Sequence, residues 1–402
     1  MLRLQLVFLL FGAALGAFYP FVAVILAARG FSPAEIGIVT AAASVAFTVA
    51  VPAWGQLADV VVGRTGALRL AAFGCALALV GFGLTWPPAV LGALYVGFMV
   101  FESAIGPLAD ALAVNALSDP ARHYGRIRLL SSVAFAAVSV AAGVLYDTTG
   151  YWPASLLCAG LVLAIVPLSV GLPDRPRLQV RPSVSEAGRV GRGVVRPRGG
   201  SLRQAATVAP SILGVAVAIS LAFGGVIAGF TYLGLRIVDL GGQPSDVALS
   251  AAIAAFAEIP AMAAAGAIAA RFGLRVLFGG AALVYALCLG SWVVVGDVGL
   301  ILASRALTGL AFAGLWIGSV LAMRALLPDE LQGTGQGVFQ VAAFGIGALV
   351  ANGAGGVVYG TLGHGVLFAL AGASAAAGAV VAWRVLPGPR PRVGAEVGAG
   401  RP

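Results

Sequence analysis

The sequence predicts an all-α integral membrane protein, with twelve membrane-spanning helices arranged as two pseudo-symmetric six-helix bundles. Three observations predict it. Hydrophobic residues fill 60% of the 402 positions and charged residues only 10%, where soluble chains carry roughly 25% charge, and the mean hydropathy is +1.02. Apolar runs of about 20 residues, enough to cross ~30 Å of hydrocarbon at 1.5 Å per residue, recur from end to end. The second half of the chain also echoes the first at a nearly constant offset.

The first run, 4–28, begins "MLRLQLVFLLFGAALGAF". A basic start and an apolar stretch are signal-peptide features. The run continues through "YPFVAVILAA" without a clear cleavage site, so it is read as a retained span. The second span, 34–58, opens on a capping box: Ser32 at the N-cap, Pro33 at the first helical position and Glu35 three residues after the cap. Spans 68–85, 88–115, 129–146 and 153–171 complete a first bundle over 1–172. Residues 173–206 break the hydrophobicity; "PDRPRLQVRPSVSEAGRVGRGVVRPRGGSLRQ" (173–204) holds eight arginines, two acids and four prolines. It cannot bury a core and is read as a cytoplasmic linker. Spans 207–234, 245–270, 275–295, 299–323, 337–359 and 365–386 form a second bundle over 207–386, and 387–402 is a tail.

The echo between halves rests on four places. "FGAALGAFY" (11–19) matches "GGVIAGFTY" (224–232) at 213 residues, which aligns Gly12 and Gly16 with Gly225 and Gly229. "GFSPAEIG" (30–37) matches "GGQPSDVA" (241–248) at 211, Gly55 matches Gly266 at 211, and "YDTTG" (146–150) matches "YGTLG" (359–363) at 213. Two homologous halves with a midplane site between them is the plan of a secondary transporter.

Arginine sets the orientation, because the chain has no lysine. With the N-terminus inside, 21 of 24 arginines fall on the cytoplasmic side; Arg29 and Arg236 fall outside and Arg305 within a span. Both termini are therefore expected in the cytoplasm, in a bacterial plasma membrane. The net charge of +9 is mostly this topology signal. It suits anionic lipids at the Arg-rich loops, and nucleic acid is not an expected partner. Enzyme chemistry has no foothold. Cys75, Cys158 and Cys288 fall inside spans, and His123 and His364 stand alone at helix ends. No phosphate-binding loop, nucleophile elbow or HExxH occurs. No metal or cofactor is expected.

Charges inside the spans point to function, because each costs about 2.5–3.5 kcal/mol on insertion scales. Span 88–115 holds Glu102, ~21 Å along its helix from Pro88, and Asp110 at ~33 Å, near the cytoplasmic edge. Glu258 in "FAEIPAM" lies ~20 Å along its helix from Ser245. Pro260 beside it loosens the backbone ladder and can expose a carbonyl to a cavity. Glu258 and Glu102 are the candidate proton-coupling residues; the alternative for Glu102 is a neutral packing group. Arg305, about 9 Å below the outer end of its span, could bind a substrate anion or neutralise Glu258. Their vertical offset of ~10 Å makes a direct pair marginal. Tyr19, Tyr232, Trp316 and Gln340 are expected to join Arg305 along the substrate path, with packing or interface anchoring as the alternative for the aromatics. Asp110 is expected to pair with Arg126 or Arg128 as a structural charge.

"GQLADVVVGRTGALR" (55–69) and "GAIAARFGLR" (266–275) resemble the 2–3 and 8–9 loop signature of the major facilitator superfamily. Both depart from it: Val60 stands where an arginine usually follows Asp59, and Ala270 replaces the second acid. The resemblance implies a cytoplasmic charge latch, one-sided here, in which Asp59 closes the inner gate through arginines near the fourth and fifth helices. "FYPFVAVILAARGFSPAEIG", "PLADAL", "YGRIRLLSSVAF", "FAEIPAM" and "LGHGVLF" resemble the branch of phenylpropionate permeases, nucleoside–proton symporters and lactose permease. In that branch the acid of "AEIPAM" on the eighth helix matches Glu258. The resemblance implies a monomer that couples uptake of a small organic solute to the proton gradient. A drug–proton antiporter is the alternative, although "SSVAFAAVSVAAGVLY" (131–146) lacks the proline of the exporters' fifth helix. A non-transporting receptor or assembly factor is more distant, since it would need no buried acids.

Overall fold

The capping box predicted at Ser32 forms, and its counterpart in the second half forms another. The Ser32 N–H donates to Glu35 Oε2 at 2.8 Å, and the Glu35 N–H donates to Ser32 Oγ at 3.3 Å. In the second half the Gln243 N–H donates to Asp246 Oδ2 at 2.8 Å, with Pro244 again at the first helical position. Such caps satisfy N–H groups that lipid cannot, so each fixes where a span begins.

The computed structural model describes residues 1–117, 120–172 and 202–388. We label the membrane helices α1 (Leu2–Ala28), α2 (Pro33–Leu57), α3 (Gly63–Gly83), α4 (Pro88–Ala116), α5 (Pro120–Thr149) and α6 (Ala154–Leu168), then α7 (Ser211–Asp239), α8 (Pro244–Phe272), α9 (Arg275–Val294), α10 (Val298–Leu326), α11 (332–362) and α12 (364–385). No strand occurs among the described residues. Most of the expected linker and tail lie outside the described residues; Leu202–Val208 is a short helix ahead of α7.

Two of these joints are nearly continuous helix, and a glycine turns the chain at each. Gly63 has φ +73° and Gly363 φ +86°, the left-handed region that only glycine enters at no steric cost. The chain reverses at both. The early parts of α2 and α4 meet where a Cβ on Gly92 would touch Val39, and the late part of α3 reaches the same level, where Gly81 faces Leu94. Likewise Gly347 on α11 and Gly378 on α12 both face Ser220–Gly224 of α7. Twelve passes result among the described residues, with residue 1 and residue 388 on one face, here the terminal face.

The two halves meet near the opposite face. There α2 packs on α11 so closely that a Cβ on Gly37 would lie 2.4 Å from the Asn352 carbonyl, and one on Gly356 2.3 Å from the Pro33 carbonyl. The Ser245 N–H at the start of α8 donates to Asp147 Oδ1 near the end of α5 at 2.8 Å. Towards the terminal face the helices part. The buried residues of α2 concentrate in 36–43, and those of α8 in 247–254 with Ala265 alone beyond. The interface is thus a wedge, shut at one end and open at the other.

One register shift departs from the repeat. Gly12 and Gly16 pack on the α5 backbone at Ser131 and Phe135. Gly225 and Gly229, their expected equivalents, face α12 and α9 instead; the α7–α11 contact is made one residue earlier, by Gly224 against Gly347. One residue is 100° of helix rotation, which short sequence matches do not resolve.

Candidate functional site

The wedge encloses a cavity of about 620 Å³, lined by residues of both halves. On the wall of the second half, Arg305 of α10 is only 6% exposed. Its Nε–H donates to the Ser250 carbonyl of α8 at 3.2 Å and an Nη1–H to Thr308 Oγ1 at 2.9 Å, with the guanidinium 5.9 Å from the Trp292 ring centroid. These contacts replace water around a buried cation. Glu258 sits eight residues beyond Ser250 on the same helix, ~12 Å further towards the terminal face. No ion pair within 4 Å joins Arg305 to Glu258, and among the described residues Glu258 has no hydrogen-bond partner. The Ser250 carbonyl holds the arginine away from it.

On the wall of the first half, α1 breaks at Pro20. Proline cannot donate to the helical ladder, and Tyr19–Phe21 tightens to a 3₁₀ turn. Tyr19 Oη–H donates to Glu102 Oε2 of α4 at 3.1 Å and lies 3.3 Å from Met99 Sδ. Glu102 is 7% exposed. It therefore has a fixed neutral donor, and Glu258 has none.

Between the walls stands a residue that sequence reasoning missed. Asn352 of α11 is 4% exposed. Its Oδ1 accepts from Thr231 Oγ1 of α7 at 2.8 Å, and its Nδ2–H donates to Ser44 Oγ of α2 at 3.3 Å. It thus bridges the two halves across the cavity. The signal was a lone amide within the apolar run "ALVANGAGGVVYG" (348–360); an uncharged side chain raised no cost alarm. Beside Phe344, α11 widens into a π-helical stretch, Val341–Gly347, where Ser220 Oγ–H of α7 donates to the Ala342 carbonyl at 2.9 Å. Such wide turns often occur at functional sites.

Of the other predicted residues, Tyr19 and Arg305 line the cavity, whereas Tyr232, Trp316 and Gln340 do not. Tyr232 is fully buried, donating to the Asn352 carbonyl at 2.7 Å and stacked on Tyr359. Its neighbour Thr231 faces the cavity in its place. Trp316 packs among Phe312, Phe339 and Phe344, and Phe312, one turn earlier, takes the lining position. Gln340 is exposed and outside the cavity lining. Asp110 pairs with Arg128 at 2.8 and 2.9 Å, while Arg126 is exposed and outside that pair. Asp59 pairs at 3.4 Å with Arg64 of its own loop. The latch expected between Asp59 and arginines near α4 and α5 is not made in this conformation, in which the terminal end of the wedge is open.

The model of the MFS_1 like family matches residues 1–370. The chain belongs to the MFS_1 like family. Its relatives include the maltose permease of Geobacillus stearothermophilus, 28% identical over 337 residues, or 83% of this chain and 82% of that one. The probable 3-phenylpropionic acid transporter of Escherichia coli (strain K12) is 32% identical over 165 residues, 41% of this chain and 42% of that one. A crystal structure of the nucleoside transporter NupG superposes with a TM-score of 0.77 at 14% identity, covering 96% of this chain and 98% of that one; at that identity the likeness shows the fold. This MFS_1 like protein is therefore a major facilitator superfamily transporter of the permease or symporter type, not an enzyme. The cavity between its halves lies where such a fold places its substrate.

Proposed function

We propose that the protein is a proton-coupled symporter that carries a small organic solute into the cell by alternating access. One observation carries this reading: Glu258 stands in the cavity without a partner, on the same wall as a cation whose donors are turned to other atoms. With Glu258 ionised, the second-half wall holds a negative and a positive group and has no net charge to offer. When Glu258 takes a proton from the outer side, Arg305 becomes an uncompensated cation able to hold an anionic or strongly hydrogen-bonding solute. Release of proton and solute on the inner side restores the starting charges, and the half-loaded states, proton without solute or solute without proton, leave an uncompensated charge that low dielectric disfavours. The arginine distribution makes the terminal face cytoplasmic, so the cavity opens inward in this conformation. Proton binding biases which end of the wedge is shut.

The test is transport in proteoliposomes, using a solute found by screening purified protein for thermal stabilisation. Glu258→Gln should lose accumulation driven by an inward pH gradient and retain solute exchange, which needs no net proton release. Full gradient-driven accumulation by that variant would sink the assignment. Export driven by the same gradient in the wild type would assign an antiporter instead.

A further inference from the structure

We propose that the second half carries, on the terminal face, a binding site for the headgroup of an anionic phospholipid, in the pocket between the ends of α8, α9, α10 and α12. The observation behind it is an asymmetry between the repeats. In the first half, the loop arginine Arg64 is met by Asp59 at 3.4 Å. The 211-residue offset of this loop places Ala270 on Asp59 and Arg275 on Arg64. The arginine is kept and its carboxylate is gone.

Around that vacancy of charge lies a pocket of about 700 Å³ whose lining includes Arg275 and Arg324 and no acidic residue. Arg275 donates its Nε–H to the Leu386 carbonyl at the end of α12, and among the described residues neither arginine makes an ion pair. The bland reading is that both merely cap helix ends. Three helix C-termini do point here, each worth roughly half a negative charge, and the start of α9 roughly half a positive one. Two full guanidinium charges still leave the pocket about one charge positive. An anion would complete it.

The rest of the lining identifies the anion's carrier. Leu274, Leu321, Leu326 and Val385 make the remaining wall largely apolar, which a free phosphate cannot use and a glycerol-linked acyl chain can. The helix ends also set the depth. Trp383, 45% exposed near the end of α12, is of the type that rests among headgroups, where anionic lipid is concentrated and a nearby arginine contributes about 1 kcal/mol.

The experiment uses the purified full chain in neutral detergent, with unfolding midpoint read against added dioctanoyl phosphatidylglycerol. The same chain length of phosphatidylcholine and inorganic phosphate are run beside it. Arg275→Gln also removes a bond to α12, so two other variants carry the test. Ala270→Asp restores the first half's carboxylate and should raise the half-saturating phosphatidylglycerol concentration about fivefold, and Arg324→Gln about as much. Arg203→Gln, an exposed arginine outside the pocket, should leave it unchanged. Unliganded midpoints close to wild type certify the folds. Equal stabilisation by phosphatidylcholine, an equal effect of inorganic phosphate, an equal loss in Arg203→Gln, or wild-type titrations in both Ala270→Asp and Arg324→Gln would each overturn the site.

Discussion

Glu102 and Glu258 face one cavity from opposite walls, and what holds each differs. Tyr19 donates to Glu102, so an amide at 102 can keep that contact and its packing. Glu102→Gln is therefore expected to retain part of the gradient-driven uptake that Glu258→Gln loses, and Tyr19→Phe to lower uptake without abolishing it. Initial rates in proteoliposomes at graded external pH check this, with uptake rising as external pH falls because the protonated carboxyl is the loaded form. Arg305 uses a fork to hold Ser250 and Thr308 together. A lysine supplies the charge but not the fork, so Arg305→Lys should raise KM about tenfold, the loss of one charged hydrogen bond, with kcat changed less. Equal kinetics in that variant would make Arg305 a bystander. The intramembrane charges were legible as candidates from their cost alone. Thr231 and Asn352 were not, because uncharged polar side chains carry little cost in a sequence.

At the scale of elements, the closed end of the wedge rests on two helix pairs, α2 with α11 and α5 with α8. An alanine at Gly356 would place its Cβ 2.3 Å from the Pro33 carbonyl. Overpacking of that kind typically costs about 1–3 kcal/mol, and here the strain exists only while the outer end is shut. Gly356→Ala should favour the outward-open state, read as faster thiol labelling of a cysteine placed at Ser44 from the outer side. The second pair can be locked: cysteines at Asp147 and Ser245, joined by oxidation, should stop transport, and reduction should restore it. Asp59 belongs to this scale too. Its partner here is Arg64, so a latch role requires it to exchange that partner when the inner end closes. Asp59→Asn should then speed labelling of cavity cysteines from the cytoplasmic side; unchanged labelling would leave the loop a topological feature.

For the whole molecule, the arginine distribution and an even number of passes predict one sidedness, with both termini in the cytoplasm. Thr85 lies on the face opposite the termini, and Arg203 and Gly388 lie on the terminal face. In right-side-out vesicles an impermeant maleimide should label Thr85→Cys at once, but Arg203→Cys and Gly388→Cys only after permeabilisation. The native thiols do not interfere, since Cys75, Cys158 and Cys288 are buried. Prompt labelling at Gly388→Cys would invert the molecule and turn the proposed uptake into export.

The sequence by itself determined that apolar spans recur along the chain, where the second and eighth of them begin, that arginine gathers in alternate loops and that the second half echoes the first. Length against hydrocarbon thickness, capping and loop charge are local properties, and a near-constant offset survives weak similarity. Tertiary structure alone decided which side chains face the cavity. A helix turns 100° per residue, so Thr231 rather than Tyr232 was selected by how neighbouring helices pack, and helix tilt put Phe312 rather than Trp316, one turn along the same face, at the cavity. It also decided that Arg305 holds Ser250 and not Glu258, because a guanidinium in lipid bonds to the acceptor its helix crossing brings within reach. That separation leaves Glu258 without a hydrogen-bond partner on the cavity wall among the described residues, the observation on which the proposed coupling rests.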